Sequence, residues 1–185
     1  MYELLDVAKK FLEGGKIPEK AVLCDFTMGN GYDTEYLCRL SKGGKVYAFD
    51  IQAQAVNNTR ARLEAAGFAD TAVLIHDSHA NAHLYVKEPI DGGMFNLGYL
   101  PGGDKSIHTM RESTLPAIRT AVELLKKGCV LVISVYPGHE EGSEEGKLVS
   151  EELSKLDKKL FCVTYFRIIN SPDAPFVIAV EKYDK

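Results

Sequence analysis

The run Ala21-Val22-Leu23-Cys24-Asp25-Phe26-Thr27-Met28-Gly29-Asn30-Gly31-Tyr32-Asp33-Thr34 passes from a β-type segment, through two glycines, into a helical pattern. Residues 21–24 read as a buried strand and residues 33–40 as a short helix. Gly29 and Gly31 allow a tight turn and let a ligand come close to the backbone. A second strand, 45–49, ends at Asp50, 19 residues beyond Gly31. A carboxylate at that strand end can accept both hydroxyl protons of a ribose. Strand, glycine turn, helix and second acidic strand end together point to a nucleoside-containing cofactor.

The same alternation extends outward. Residues 3–13 place Leu4, Leu5, Ala8, Phe11 and Leu12 on one helical face. A helix over 53–66 carries Val56, Leu63 and Ala66 inward, with Gly67 as its C-cap. Strands follow at 72–75 and, more weakly, at 90–95, where Gly92-Gly93 reads as an interruption. The spacing predicts a helix over 113–126, with Ser113 as N-cap, Pro116 in the first turn and Gly128 as the stop. Residues 130–135 are the most buried-looking strand, and 144–158 form a charged amphipathic helix carrying Leu148, Leu153 and Leu156. The ending differs: β runs at 160–168 and 176–180 are joined through Asn170–Pro175 without a helix, so they must run antiparallel. The expectation is one Rossmann-like α/β domain over 1–185, with a mainly parallel seven-stranded sheet and a C-terminal antiparallel hairpin.

Composition narrows the partners. With 185 residues, 45% hydrophobic and 26% charged, the chain has ordinary globular composition. No apolar run approaches the roughly 20 residues that cross a bilayer, and nothing resembles a secretory leader. Four widely spaced cysteines, Cys24, Cys38, Cys129 and Cys162, form no C-x-x-C pair and suggest a reduced, cytoplasmic protein. A net charge of −4 excludes a generally basic nucleic-acid binder but not a local basic patch.

The dinucleotide fingerprint needs a third small residue where this chain has Thr34, and Asp25 stands just before the turn. A carboxylate near the turn suits a cationic ligand and would repel a pyrophosphate. S-adenosylmethionine, with its sulfonium, ammonium and ribose, fits better than NAD. The alternative is that the glycines only build a turn and Asp50 only caps a helix. His76-Asp77-Ser78-His79 ends the third strand; Asp77 can accept from an adenine amine while Ser78 or His79 touches the ring, or either Asp77 or Ser78 simply caps the next helix. His76, His79 and His83 lack a third partner at recognisable metal-ligand spacing, so no metal is expected.

Asn96 falls at the end of the fourth strand, where its amide oxygen can accept from a substrate amine. Methyl transfer from sulfonium is a direct displacement, so alignment and desolvation are the main work. Tyr99 and Pro101 can wall a flat base, and stacking on an aromatic ring contributes roughly 1–3 kcal/mol. This loop has no cysteine to activate a ring carbon, which favours a nitrogen or oxygen nucleophile. Tyr136 and His139 flank the same opening after the fifth strand; His139 can take a proton, stack or contact phosphate. Lys105, His108, Arg111 and Arg167 are the local candidates for RNA contact, set against the reading of each as solvated surface.

D-F-T-M-G-N-G-Y-D-T, F-D-I-Q, H-D-S-H, F-N-L-G-Y-L-P-G-G-D-K and V-Y-P-G-H-E-E-G, spread over residues 20 to 183, resemble the small bacterial methyltransferases grouped as rRNA methylases. That group includes the MnmM-type tRNA 5-(aminomethyl)-2-thiouridine methyltransferases. The resemblance implies a class I, S-adenosylmethionine-dependent methyltransferase fold. It also implies methylation of the 5-aminomethyl group of wobble 2-thiouridine in the tRNA anticodon stem-loop. By position it implies that Asn30, Asp33, Asp50, Gln52, Asp77 and His79 hold the cofactor, with Met28 and Gly29 along it and Asn96 beside the methyl. With Thr27, Gly31, Ile51 and Ser78 these make the candidate cofactor set; Asn96 and His139 are the candidate catalytic pair, and Tyr99, Pro101, Tyr136 and His139 the substrate set. The family pattern has Y-H-G-H where this chain has Tyr136-Pro137-Gly138-His139, leaving only the second histidine. Methylation of rRNA or a small-molecule amine, a non-catalytic nucleotide-binding module and an NAD-dependent reductase are the competing functions. So little basic surface points to a homodimer gripping the RNA.

Overall fold

The computed structural model describes residues 4–102, 108–138 and 140–184. His139 and Lys105 therefore lie outside the described residues. Helix α1 (Leu4–Glu13) precedes β1 (Val22–Asp25), α2 (Tyr32–Leu40), β2 (Lys45–Asp50), α3 (Ala53–Ala66) and β3 (Ala72–His76). A 3-10 turn (His79–Asn81), the short α4 (Ala82–Tyr85), β4 (Ile90–Leu97), α5 (Arg111–Leu124) and β5 (Leu125–Val135) come next. The chain then forms α6 (Glu140–Leu153), β6 (Phe161–Phe166) and β7 (Phe176–Lys182).

The seven strands lie in the order β3-β2-β1-β4-β5-β7-β6. β1 to β5 are parallel, while β7 runs antiparallel to both β5 and β6, as the helix-free C-terminal link requires. β1 is flanked by β2 on one side and β4 on the other, so the order reverses there and a crevice opens above the carboxyl ends of these strands.

Both sheet faces are covered, as a parallel sheet demands. Leu23, Val46, Met94 and Val132 pack on one side with Leu12, Leu37 and Leu63 of α1, α2 and α3. Their neighbours Cys24, Tyr47, Phe95 and Ile133 pack on the other with Ile118, Val122 and Val149 of α5 and α6. At the centre of that second face the buried rings of Phe26 and Phe95 stack at 4.2 Å, and Phe49 continues the stack at 6.1 Å from Phe26.

Several boundaries differ from the pattern in the sequence. Gly92-Gly93 does not interrupt β4; both residues are buried within it. A Cβ on Gly92 would sit 2.8 Å from a Leu12 methyl and one on Gly93 3.0 Å from the Phe26 ring, so the pair makes room for α1 and the aromatic stack. α5 starts at Arg111, not Ser113, whose hydroxyl donates to the Met110 carbonyl (2.9 Å) from inside the first turn. Pro116 consequently lies inside the helix, on its exposed side. The helix stops at Leu124, before Gly128, because Leu125 already pairs with Ile90. Between there and the next pair, Gly92 with Val130, β5 bulges and Gly128 takes φ 77°. The bulge carries Lys126 to the buried carboxylate of Asp91 (2.9 Å). α6 begins four residues earlier than expected and ends at Leu153. Leu156, beyond its end, still packs against the core.

Candidate functional site

The glycine turn is held from three sides. Asp25 is fully buried; one of its oxygens accepts the Thr27 N–H (3.1 Å) and the other the Thr34 hydroxyl (2.6 Å), tying the start of the turn to the first turn of α2. Gly29 and Gly31 adopt φ 51° and 80°, the left-handed region that favours glycine. A Cβ on Gly31 would also lie 2.8 Å from the Thr59 hydroxyl. From α3, Thr59 donates its hydroxyl to the Gly29 carbonyl (3.0 Å) and Arg62 donates Nε–H to the Asn30 carbonyl (2.9 Å). Asp25 is therefore a staple of the turn and does not face a ligand, contrary to its reading as a partner for a cation: Thr27 and Thr34 take its oxygens inside the fold.

Asp50 ends β2, at the carboxyl edge that borders the crevice. Its Oδ2 accepts the Gly29 N–H (3.0 Å) and its Oδ1 the Gln52 N–H (2.9 Å). These backbone bonds orient the carboxylate and favour its ionised form, while burial, the larger effect, raises it above the usual carboxylate range. Ile51, beside it, is 54% exposed. Asp77 accepts from the Ser78 N–H (2.7 Å), the Asn81 amide (3.0 Å) and the Tyr85 hydroxyl (2.8 Å), and Tyr85 and Asn81 hold its carboxyl below the usual range. Ser78 caps the 3-10 turn through the Ala80 N–H (3.2 Å). His79 is turned inward. Its Nδ1 lies 2.9 Å from the Phe26 carbonyl, which can only accept, so Nδ1 carries the hydrogen and burial keeps the ring neutral. It buttresses the glycine turn from beneath. His76 lies 3.0 Å from the Ile51 carbonyl, separate from it.

Asn96, at the end of β4, joins the turn from the other side. Its N–H donates to the Thr27 hydroxyl (2.7 Å) and its Nδ2 donates to Asp33. Its Oδ1 is buried and has no partner among the described residues. Asp33 is held above the usual range first by burial, against the pull of Lys9, whose ammonium lies 3.7 Å away. Tyr136 is half-buried within the field of the same carboxylate; burial and then Asp33 push its hydroxyl up. Asn30 donates Nδ2 to the Pro101 carbonyl (3.0 Å) and accepts from Asn58 (2.9 Å), so the turn and the loop after β4 are linked directly. Tyr99 is exposed on that loop. An open groove of about 660 Å³ between α2 and α3 touches Asn30 but lies outside the crevice.

Thr27, Met28, Gly29, Asn30, Gly31, Asp33, Asp50, Gln52, Asn96 and Pro101 are thus brought into one connected network or into its immediate backbone. Arg111 pairs with Glu112 and Glu141, and Arg167 donates to the Pro172 carbonyl, so both of these RNA-contact candidates already have protein partners. The sequence reading passed over Lys9, Thr59 and Arg62. Lys9 sits on a helix legible only by its apolar face, and the α3 pair depends on a crossover contact that no local spacing encodes.

Residues 46–181 match the family model described as "Putative rRNA methylase". The chain is 36% identical over 169 residues to the chloroplastic tRNA (mnm(5)s(2)U34)-methyltransferase of Arabidopsis thaliana, covering 85% of this chain and 62% of that relative. Among solved structures, it resembles a "putative methyltransferase" from Streptococcus mutans in complex with SAH (TM-score 0.89, 37% identity, 98% and 99% of the two chains). It also resembles an rRNA methylase from Streptococcus thermophilus (TM-score 0.82, 33% identity, 100% and 99% of the two chains).

The staple carries a pH signature. Burial first, and then the charge of Asp33, raise the Asp25 carboxyl from 3.8 to about 7. The folded protein then binds this proton more tightly than the unfolded chain. The stabilisation is complete below the unfolded value and is lost as pH rises through about 7. Asp25→Asn mimics the protonated form at every pH. In thermal melts from about pH 4 to about pH 8, the wild-type melting temperature is expected to fall relative to D25N. Parallel curves would show that Asp25 titrates normally.

Proposed function

Because the chain belongs to the rRNA methylase family, we propose that it is an S-adenosylmethionine-dependent N-methyltransferase acting on tRNA. It converts the 5-aminomethyl group of wobble 2-thiouridine into 5-methylaminomethyl-2-thiouridine. The similarity to a tRNA (mnm(5)s(2)U34)-methyltransferase over 85% of this chain carries the choice of substrate. Kinship to a structure holding SAH supports the choice of cofactor.

The crevice suits that cofactor. Asp50, oriented by two backbone N–H groups, takes the ribose hydroxyls. The backbone of Thr27, Met28, Gly29 and Gly31 lies along the cofactor without side-chain obstruction at the two glycines. Ile51, Gln52, Asp77 and Ser78 border the adenosine side. Thr34, in the place of the third small residue of a dinucleotide fingerprint, is buried and donates to Asp25, which gives a pyrophosphate no added room. When bound, the cofactor supplies an electrophilic methyl: a nitrogen–carbon bond forms as the sulfonium–carbon bond breaks, and the nitrogen afterwards gives one proton to water.

On the acceptor side Asn96 receives an N–H of the neutral amine and aims its lone pair. Tyr99 and Pro101 wall the base, and Tyr136 closes the far side. The anticodon stem-loop is the RNA element presented, and four free cysteines suit a cytoplasmic location.

Incubation with S-adenosylmethionine and tRNA bearing 5-aminomethyl-2-thiouridine, followed by digestion and nucleoside mass spectrometry, is expected to yield the methylaminomethyl product. Methylation of rRNA alone would move the substrate to the ribosome, and cofactor binding without transfer to any RNA would reduce the protein to a binding module. In calorimetry, Asp50→Ala is expected to weaken S-adenosylmethionine by about 1.5–3 kcal/mol, the worth of hydrogen bonds to a charged group. An unchanged Kd would remove Asp50 from the ribose site.

We also propose a homodimer. Val163, Tyr165 and Phe166 of the edge strand β6 are exposed, as are Ile168 and the 92%-exposed Ile169 just after it. An exposed apolar edge strand of this kind is a template for pairing with another chain. Sedimentation at micromolar concentration should give a dimer; a monomer throughout the range would refute the pairing.

A further inference from the structure

We propose that Asp33 is a positioning residue: its carboxylate fixes the side-chain amide of Asn96 so that Oδ1, and not Nδ2, is presented to the acceptor amine. The inference rests on the amine-methylating reading above and assigns Asp33 to the methyl-acceptor end of the crevice instead of to the hold on the cofactor.

An asparagine amide has two ends of nearly equal shape and opposite hydrogen-bonding sense. What decides its orientation is the partner. An ionised carboxylate only accepts, so the Nδ2 end of Asn96 must face Asp33. The reverse orientation would set two oxygen lone pairs against each other. Lys9, reaching from α1 to the other carboxylate oxygen at 3.7 Å, favours the ionised form on which this depends. Lys9 itself lies over the Tyr36 ring, 4.9 Å from its centre, which holds the ammonium on that side of Asp33.

The rest of Asn96 is already committed. Its N–H is bound to the Thr27 hydroxyl at 2.7 Å, and its place at the end of β4 is set by pairing with Ser134 of β5. That leaves Oδ1, a buried acceptor without a partner among the described residues. Buried polar atoms in native proteins ordinarily have partners, and an exception calls for a ligand or water that completes it. An N–H of a primary amine completes it, and in doing so leaves the nitrogen lone pair free to point elsewhere. A ring carbon brings no such hydrogen. The relay Lys9–Asp33–Asn96 therefore discriminates among nucleophiles by orientation, with only Asn96 touching the substrate.

Three measurements on the full-length protein test this. With S-adenosylmethionine and aminomethyl-bearing tRNA, Asp33→Asn is expected to lower kcat roughly tenfold or more while KM for tRNA and the Kd for SAH change by no more than about twofold. The exchange Asp33→Asn with Asn96→Asp reverses donor and acceptor within the pair yet still leaves an oxygen facing the amine, and should recover most of the lost kcat. In the 15N–1H spectrum of the free protein, the Asn96 side-chain amide, assigned by its disappearance in Asn96→Ala, should shift on Asp33→Asn. Loss of SAH affinity in parallel with kcat would return Asp33 to the cofactor site and overturn the proposal. So would failure of the exchanged pair to recover, or an amide signal indifferent to Asp33. Should the wild-type protein methylate no RNA amine, the underlying reading fails first and the acceptor role falls with it, even where the amide signal still reports the pair; an active wild type with an unaffected Asp33→Asn variant is the failure of this inference alone.

Discussion

A carboxylate sealed in the interior governs the shape of the crevice. Asp25 sits at the last position of β1 and binds both the backbone just beyond it and the hydroxyl at the start of α2. Burying that group without partners would cost more than most single contacts can return. With both oxygens occupied, the chain between them is confined to a short path, and only residues that tolerate left-handed backbone can complete it. The rest of the site hangs from that path: the N–H that steadies Asp50, the hydroxyl that steadies Asn96 and the carbonyl braced by His79.

Two layers of packing stop the path from relaxing. Beneath it, the Phe26–Phe95 stack fixes the strand ends of β1 and β4 relative to one another. Outside it, Thr59 and Arg62 draw α3 onto the turn's carbonyls. The glycines of β4 belong to the same arrangement, since any side chain at Gly93 would press on the Phe26 ring. The backbone is therefore most constrained at the glycine turn, while Tyr99 stands exposed on the loop after β4.

Much of this was legible in the linear chain, for identifiable reasons. Strand–turn–helix order, the distance from Gly31 to Asp50 and the helix-free ending are local properties, and the sheet is built from them. What could not be read depends on contacts between distant segments. Asp25 looks the same in sequence whether it faces a ligand or the interior; its partner Thr34 decides, nine residues later. Gly92-Gly93 suggests a break until the Leu12 side chain and the Phe26 ring are known to press from opposite faces. Asp33 gives no hint of Lys9, which arrives from a helix that crosses the sheet elsewhere. His79 shows the same limit from the other side: its position at a strand end suggests exposure, and its ring is inward.

The bond from Asn30 to the Pro101 carbonyl makes the floor of one half of the crevice and the rim of the other into neighbours on a single body. Linkage then imposes a symmetry on the two ligands. On the proposed function, whatever affinity the RNA gains from a bound methyl donor, the donor gains equally from bound RNA, because the free energy around the cycle closes. Strain introduced at that one amide should accordingly be felt as equal and reciprocal losses in the way the two ligands assist each other.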